Sequence, residues 1–132
     1  MNLDEGLKEL LKSIAISSVP ITEKLIEKYK SSDNMLGHAK FDKDYTGKML
    51  LIGNKLVGYV IVDKKRKYIT ALEVSPKFRR KGYGKRLLNI AKLLGADKLS
   101  VNKKNFKAIN LYKKNGWIVD KEDDTMLYMR KK

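Results

Sequence analysis

The cations and glycines of one short segment are the part of this chain best suited to chemistry. Six of the ten residues from Lys77 to Arg86 are lysine or arginine, and Gly82 and Gly84 lie among them. Glycine lets the backbone approach an anion closely and adopt a positive φ. A helix that begins in such a segment presents unpaired amides and the positive end of its dipole. The segment therefore predicts an anion site, and a phosphate is the anion that this geometry suits.

The residues on either side of this segment predict a strand before it and a helix after it. Tyr68 to Val74 is rich in β-branched and aromatic residues and stops at Ser75-Pro76. From Gly84 onwards, apolar residues recur at helical spacing, and Gly95 is suited to end the helix. The apolar face of that helix consists of Leu87, Leu88, Ala91 and Leu94.

Two familiar phosphate loops do not fit the segment, and a third does. A dinucleotide fingerprint requires a third glycine where Leu87 stands, and a Walker loop requires Ser or Thr after Gly84-Lys85, where this chain has arginine. The pattern Arg79-x-x-Gly82-x-Gly84 resembles the pyrophosphate loop of the GNAT superfamily of N-acetyltransferases, whose signature is Gln/Arg-x-x-Gly-x-Gly/Ala. From the loop alone, a solvated basic loop or a nucleic-acid contact patch stays open.

A second segment resembles the same superfamily. Its C-terminal motif is a strand, then Asn, then Ala-x-x-Leu-Tyr-x-x-x-Gly-Phe. The stretch from Leu99 to Trp117 matches this motif in order and spacing, with tryptophan in place of phenylalanine. The matching residues are Asn105, Ala108, Leu111, Tyr112 and Gly116. Two motifs in the right order are far more specific than either alone, and together they extend the resemblance over residues 48–130.

The resemblance implies roles for particular residues. Leu72, Glu73 and Val74 would offer backbone groups to the pantetheine arm of acetyl-CoA. The loop would hold the pyrophosphate, and it consists of Arg79, Arg80, Lys81, Gly82, Tyr83, Gly84 and Lys85. Asn105 would bond the CoA arm, and Tyr112 would lie near the thioester sulfur. From the residues alone, Asn105 is a helix cap and Tyr112 a core aromatic.

The implied reaction is direct acetyl transfer from acetyl-CoA to a primary amine in a ternary complex. A lysine-like amine must lose a proton before it attacks, which costs roughly 4 kcal/mol at pH 7. The Val74 amide would stabilise the oxyanion, and Tyr112 would act as the general acid that protonates the leaving thiolate. Some relatives carry a glutamate where Ser100 stands, so Glu73 is the candidate base on the central strand. A water relay, with Glu73 as a surface residue, stays open.

Composition limits the other classes of function. The chain has 132 residues, of which 42% are hydrophobic, and this predicts a single domain over residues 1–132. It contains no cysteine, which excludes disulfides and thiolate nucleophiles, and its one histidine, His38, cannot form a zinc site alone. We expect no metal. No apolar run is long enough for a membrane span and no signal-peptide pattern is present, so we expect a cytoplasmic protein.

The net charge of +15 is concentrated in the half that carries the two motifs. Residues 67–132 hold 18 basic and 6 acidic groups, whereas residues 1–66 hold 12 and 9. Such a field attracts CoA, nucleic acid or acidic surfaces. A basic nucleic-acid-binding module is therefore an alternative function, as is an acetyltransferase that acts on an RNA-borne amine such as aminoacyl-tRNA. A homodimer is a further expectation from the resemblance.

The hydrophobic pattern predicts an α+β (mixed α/β) fold with the element order α-α-β-β-β-α-β-α-β-β. Its centre would be a mixed, mostly antiparallel sheet flanked by helices, as in GNAT proteins. The predicted helices span residues 3–14, Pro20 to Ser32, Gly84 to Gly95 and Asn105 to Asn115. The predicted strands are Lys48 to Gly53, Leu56 to Asp63, Tyr68 to Val74, Asp97 to Asn102, Trp117 to Lys121 and Thr125 to Arg130. Residues 1–47 form an atypical helical part, in which a short strand from His38 to Phe41 stays open, and residues 48–130 form the recognisable core.

Overall fold

The computed structural model describes residues 4–7, 15–30, 35–36 and 39–132, of which residues 4–7 are helical. The strands that follow are β1 Ile16–Pro20, β2 Tyr45–Ile52, β3 Lys55–Asp63, β4 Tyr68–Val74, β5 Lys98–Asn102, β6 Trp117–Glu122 and β7 Met126–Lys131. The helices are α1 Glu23–Tyr29, α2 Tyr83–Leu93 and α3 Phe106–Lys114, and a short 3-10 turn spans Pro76–Phe78.

The seven strands form one sheet in the order β1-β2-β3-β4-β5-β7-β6. Every neighbouring pair is antiparallel except β4 and β5, which run parallel. These two strands share a single register pair, Tyr68 with Lys98, at their first residues. Beyond that pair the two strands are no longer paired, so the sheet opens into a cleft at their carboxyl ends. This opening is the feature that positions the candidate site.

The apolar residues of the sheet divide between two cores, one on each face. On one face, helices α2 and α3 cover the α2–α3 core, which includes Leu50, Val57, Val60, Leu87, Leu99 and Trp117. On the other face, helix α1 and residues 35–36 cover the α1 core, which includes Ile21, Tyr29, Leu36, Met49, Tyr59 and Ile61. Successive residues of β3 contribute to opposite cores, which explains why this strand is apolar almost throughout its length.

The mixed, mostly antiparallel sheet with flanking helices confirms the predicted fold class. From β3 to β7, predicted and observed element boundaries differ by no more than two residues. Strand β2 begins earlier than predicted, at Tyr45 rather than Lys48. Its register with β3 therefore reaches Asp63, and the ladder continues one pair further, where Lys64 N–H donates to the Asp44 carbonyl at 3.1 Å.

The prediction for the first fifty residues was wrong in one element. The segment Ile16–Pro20 is an edge strand, which pairs with β2, so four strands rather than three precede helix α2. Only Ile16 and Val19 of this strand are half-buried, and Pro20 is tolerated because the strand lies at the edge. Its polar residues gave no clear period-2 pattern.

Helix α1 also begins later than predicted. It starts at Glu23 rather than Pro20, because the Thr22 hydroxyl accepts the Leu25 amide proton at 3.2 Å as an N-cap. Residues 39–41 form no strand. The rest of the predicted helix 3–14, the end of the second helix and His38 lie outside the described residues.

Candidate active site

A cavity of about 510 Å³ lies where β4 and β5 separate. Strands β3, β4 and β5 and helix α3 line its walls, together with Leu36, Ala39, Lys40 and Tyr45. The cavity brings together four residues that the sequence predicted as site residues: Leu72, Glu73, Asn105 and Tyr112. The first two are more than thirty positions from the last two in the chain, and the split sheet is what places the four in one cleft.

The backbone of β4 presents alternate groups to this cleft. The Ser75 amide donates to the Val57 carbonyl at 2.8 Å, and a Cβ built at Gly58 would lie 2.6 Å from the Glu73 carbonyl oxygen. The backbone N–H and C=O groups of the odd-numbered residues in β4 therefore point toward β3. Because backbone groups alternate along a strand, the amides of Leu72 and Val74 face the opposite edge, toward the cleft. This edge can accept one more extended chain.

The Arg79 side chain closes the end of β4. Its Nε donates to the Val74 carbonyl oxygen at 3.2 Å. Arg79 therefore fixes the turn between strand and loop, a role that the motif alone did not indicate. The Phe78 and Tyr83 rings pack edge to face across the same turn, with centroids 6.3 Å apart.

The glycine loop has the backbone conformation of an anion cradle. Arg80 and Gly82 both have positive φ, at 64° and 85°, and Gly82 stands at the N-cap of α2. A Cβ at Gly82 would meet no atom within 4 Å, so the space in front of the helix terminus is open. The first amides of α2 have no carbonyl one turn earlier to bond, and the exposed side chains of Lys81 and Lys85 lie beside them.

Gly84 joins the loop to the second motif. A Cβ at this position would lie 3.0 Å from Cδ2 of Leu111 on helix α3. The absence of a side chain lets the start of α2 pack closely against α3. The two predicted motifs are therefore one packed unit in the fold.

The polar residues of helix α3 occupy the far wall of the cleft. The Asn105 side chain accepts the Ala108 amide proton at 3.2 Å, so it is the N-cap of α3, and it also lines the cavity. Tyr112 is only 9% exposed, and burial raises the pKa of its phenol above the ordinary value of 10.0. The phenol is therefore protonated at neutral pH and can donate a proton.

Glu73 and Tyr59 form a pair on the opposite side of the cleft. They are direct partners in the register of β3 and β4, and the Tyr59 hydroxyl donates to Oε1 of Glu73 at 3.3 Å. Tyr59 is 2% exposed, and its pKa is raised by burial and by the neighbouring carboxylate. Sequence reasoning missed Tyr59 because it lies in an apolar run. The available signal was that Tyr59 is the only residue with a polar side chain between Leu56 and Val62.

The cleft offers no further acidic group on β5 and no metal site among the described residues. Ser100 lines the same cavity from β5, so this strand supplies no carboxylate there. In the part of the chain that the structure describes, no three His, Cys, Asp or Glu residues lie close enough together to hold a metal ion. Within the same residues, no helix has the length and apolarity to cross a membrane.

Comparison with known proteins gives the family. The model of the acetyltransferase (GNAT) family matches residues 13–117. The chain therefore belongs to the GNAT acetyltransferase family, as the two motifs indicated. A search of curated proteins gives no significant match.

Solved structures of N-acetyltransferases have the same fold. Arabidopsis thaliana Naa50 in complex with the bisubstrate analogue CoA-Ac-MVNAL is 21% identical, over 90% of this chain and 99% of that one, with a TM-score of 0.70. The ribosomal-protein-S18-alanine N-acetyltransferase from Escherichia coli is 15% identical, over 89% and 93% of the two chains, with a TM-score of 0.71. The PaiA N-acetyltransferase from Thermoplasma acidophilum in complex with coenzyme A is 24% identical, over 85% and 80%, with a TM-score of 0.59.

Family and fold together confirm the expected class of enzyme. The protein is an acetyl-CoA-dependent N-acetyltransferase. The cleft between β4 and β5 suits this co-substrate, because it combines a free strand edge with an open helix terminus and a basic loop.

Proposed function

We propose that this enzyme acetylates the N-terminal amine of a peptide or protein, with acetyl-CoA seated between β4 and β5. The observation that carries the proposal is the parallel pair β4–β5, which is joined at one residue pair and then open. Support for a peptide acceptor comes from Naa50, which binds a CoA–peptide conjugate, and from the S18-alanine enzyme, which is named for a protein substrate.

In this proposal the pantetheine arm extends along the free edge of β4. The Leu72 amide and carbonyl would pair with it, the Val74 amide would reach its thioester oxygen, and Asn105 would bond it from the other wall. The pyrophosphate would lie at the start of α2, where the loop amides and the cations from Arg79 to Lys85 surround it. Gly82 keeps the approach open, since any side chain there would project into the anion's space.

The chemistry then follows from the two walls of the cleft. The acceptor ammonium loses a proton to Glu73, directly or through water, and the neutral nitrogen attacks the thioester carbon. The Val74 amide donates to the oxyanion that forms. When the C–S bond breaks, the Tyr112 phenol gives its proton to the leaving thiolate. As the amide forms, the nitrogen releases its second proton to solvent, and solvent reprotonates Tyr112. The proton taken up at Glu73 also returns to solvent, so the transfer releases one proton in total.

The other partners and the location stay predictions. A cytoplasmic location, a homodimer and an RNA-borne amine as acceptor rest on the sequence alone. The surplus of cations around the cleft favours an acceptor that is not itself strongly basic, because like charges in one interface cost several kcal/mol.

Thermal melting with and without acetyl-CoA tests the cofactor half of the proposal. We expect the wild type to gain several degrees at millimolar acetyl-CoA. Gly82→Glu should lose this gain, because its carboxylate would stand where the pyrophosphate binds. Gly95→Glu is the matched control, since Gly95 also has positive φ and open space around its Cβ position but lies at the other end of α2. An equal gain in both variants would contradict the assignment of the loop.

Acetylation of a peptide library tests the acceptor half. Peptides with free N-termini should gain one acetyl group, detected by mass spectrometry, while the same peptides with blocked N-termini should not. Aminoacyl-tRNA serves as the competing acceptor in a parallel reaction. Acetylation of tRNA-borne amines alone would replace the peptide proposal with the RNA alternative.

A further inference from the structure

The buried phenol beside Glu73 has no role in the family motifs or in the mechanism above. We propose that Tyr59 is a positioning residue that holds the Glu73 carboxylate at the cleft, so that this carboxylate can receive the acceptor ammonium. The inference rests on the proposed function and adds to it a determinant of acceptor binding.

The first support is the register of the two strands. Tyr59 and Glu73 lie directly opposite each other in the β3–β4 ladder, so their side chains extend from the same face of the sheet. The phenol oxygen is 3.3 Å from Oε1 of Glu73, and both residues line the cavity. Both members of the pair therefore face the cleft.

The second support is the difference in burial between the partners. Tyr59 is 2% exposed and packs in the α1 core, whereas Glu73 is an exposed residue. A phenol fixed in a core can hold a mobile carboxylate in one direction without losing further side-chain entropy. The hydrogen bond from Tyr59 engages Oε1 of Glu73, so the other carboxylate oxygen can take a proton from a substrate.

The third support is the direction of the hydrogen bond. The Leu36 backbone lies close enough to the Tyr59 phenol to work against the rise in its pKa. Because an ionised carboxylate can only accept, the phenol proton is directed to Glu73. Leu36 lines the cavity with a positive φ of 67°. Tyr59 thus connects this wall of the cleft to the carboxylate.

The charges around the carboxylate favour an ammonium ligand. Among the described residues that line the cavity, Glu73 is the only acidic one, and the other titratable groups are Lys40, Tyr45, Tyr59 and Tyr112. The Lys40 ammonium lies 5.8 Å from the centre of the Tyr45 ring. The carboxylate therefore carries the one formal negative charge that the described lining presents to an incoming amine.

Steady-state kinetics on four proteins test the inference: wild type, Tyr59→Phe, Glu73→Gln and the double variant. The acceptor is the best peptide from the library. We expect Tyr59→Phe to lower kcat/KM for the peptide about tenfold, as loss of a hydrogen bond to a charged group does, and to leave KM for acetyl-CoA unchanged. Glu73→Gln should lower kcat/KM about a hundredfold, and the double variant should equal Glu73→Gln alone.

Tyr29→Phe is the matched control, because Tyr29 lies in the same α1 core and does not line the cavity. Its kinetics should equal those of the wild type. Losses that multiply in the double variant, or an unchanged Glu73→Gln enzyme, would overturn the inference while the wild type still acetylates peptides. A wild type that shifts with acetyl-CoA but acetylates no amine would overturn the inference and the proposed acceptor together. If Tyr59→Phe fails to fold, Glu73→Gln still tests the role of the carboxylate, because Glu73 is exposed and its replacement by glutamine should leave the fold intact.

Discussion

The two walls of the cleft are built in different ways. The wall assigned to acetyl-CoA consists of β4, the glycine loop and α2, which follow one another in the chain, with α3 packed on them at Gly84. The wall assigned to the acceptor combines Leu36, Tyr45, Tyr59 and Glu73, which come from three strands and a connecting segment. In this assignment, a local motif would hold the constant co-substrate, whereas the variable acceptor would meet residues that only the tertiary fold brings together.

Each wall carries one buried tyrosine, and this pair sharpens the comparison. Tyr112 on α3 is buried, and desolvation alone raises its pKa. Tyr59 on β3 is buried against Glu73, which adds to the rise. The first phenol is suited to give a proton to a leaving group, and the second to hold a carboxylate.

The largest expected effect is that of Tyr112→Phe. Removing the general acid should lower kcat about a hundredfold, because proton transfer to the leaving group contributes that much or more. The melting gain with acetyl-CoA and the acceptor KM should stay near the wild-type values. Stopped-flow or steady-state detection of free CoA thiol measures kcat directly.

Tyr59→Phe gives the contrast within the same experiment, since this substitution should lower kcat/KM for the acceptor and leave KM for acetyl-CoA unchanged. If Tyr112→Phe raised the acceptor KM and left kcat unchanged, the assignment of the two walls would be reversed. Restoration of the rate by an acyl donor with a more acidic thiol would support the role of Tyr112 as an acid.

The difference between the walls also explains which features could be predicted from the sequence. The loop, the Asn105 cap and Tyr112 lie in continuous motifs whose spacing predicts both structure and chemistry. Tyr59 could not be predicted, because its role depends on the register between β3 and β4. Strand β1 was missed for a related reason: its pairing with β2 is a tertiary contact, and its own residues carry little β pattern.

Two glycines in the central strands allow each wall to be disturbed separately. A Cβ at Gly58 would lie 2.6 Å from the Glu73 carbonyl and 3.0 Å from Leu87, whereas a Cβ at Gly47 would overlap the Val60 carbonyl and press on Ile21. We expect Gly58→Ala and Gly47→Ala each to lower the free energy of unfolding by about 2 kcal/mol, as overpacking does. Urea denaturation measures this loss.

The two alanine variants should differ in activity at equal stability. Gly58→Ala displaces β4 where the Val74 amide faces the cleft, so kcat should fall about tenfold. Gly47→Ala disturbs the α1 core at β2, which is separated from β4 by β3, so kcat should stay within about twofold of the wild type. Equal losses of kcat would show that stability, and not the position of β4, sets the rate.

The smallest expected effect is a change in stability at alkaline pH. The folded pKa values of Tyr59 and Tyr112 lie above the unfolded value of 10.0, so the native state keeps protons that the unfolded chain loses. The resulting stabilisation is complete below pH 10 and is lost as pH rises further, by up to about 1.4 kcal/mol per pH unit for each retained proton. Urea denaturation from pH 8 to pH 11 should therefore give a free energy of unfolding that declines with pH, and Tyr59→Phe and Tyr112→Phe should each make the decline less steep.

The flattening should be greater for Tyr59→Phe, because both burial and Glu73 raise the pKa of that phenol. Glu73→Gln should reduce the Tyr59 contribution and leave that of Tyr112 unchanged, whereas an equal effect on both would contradict the separation of the two walls.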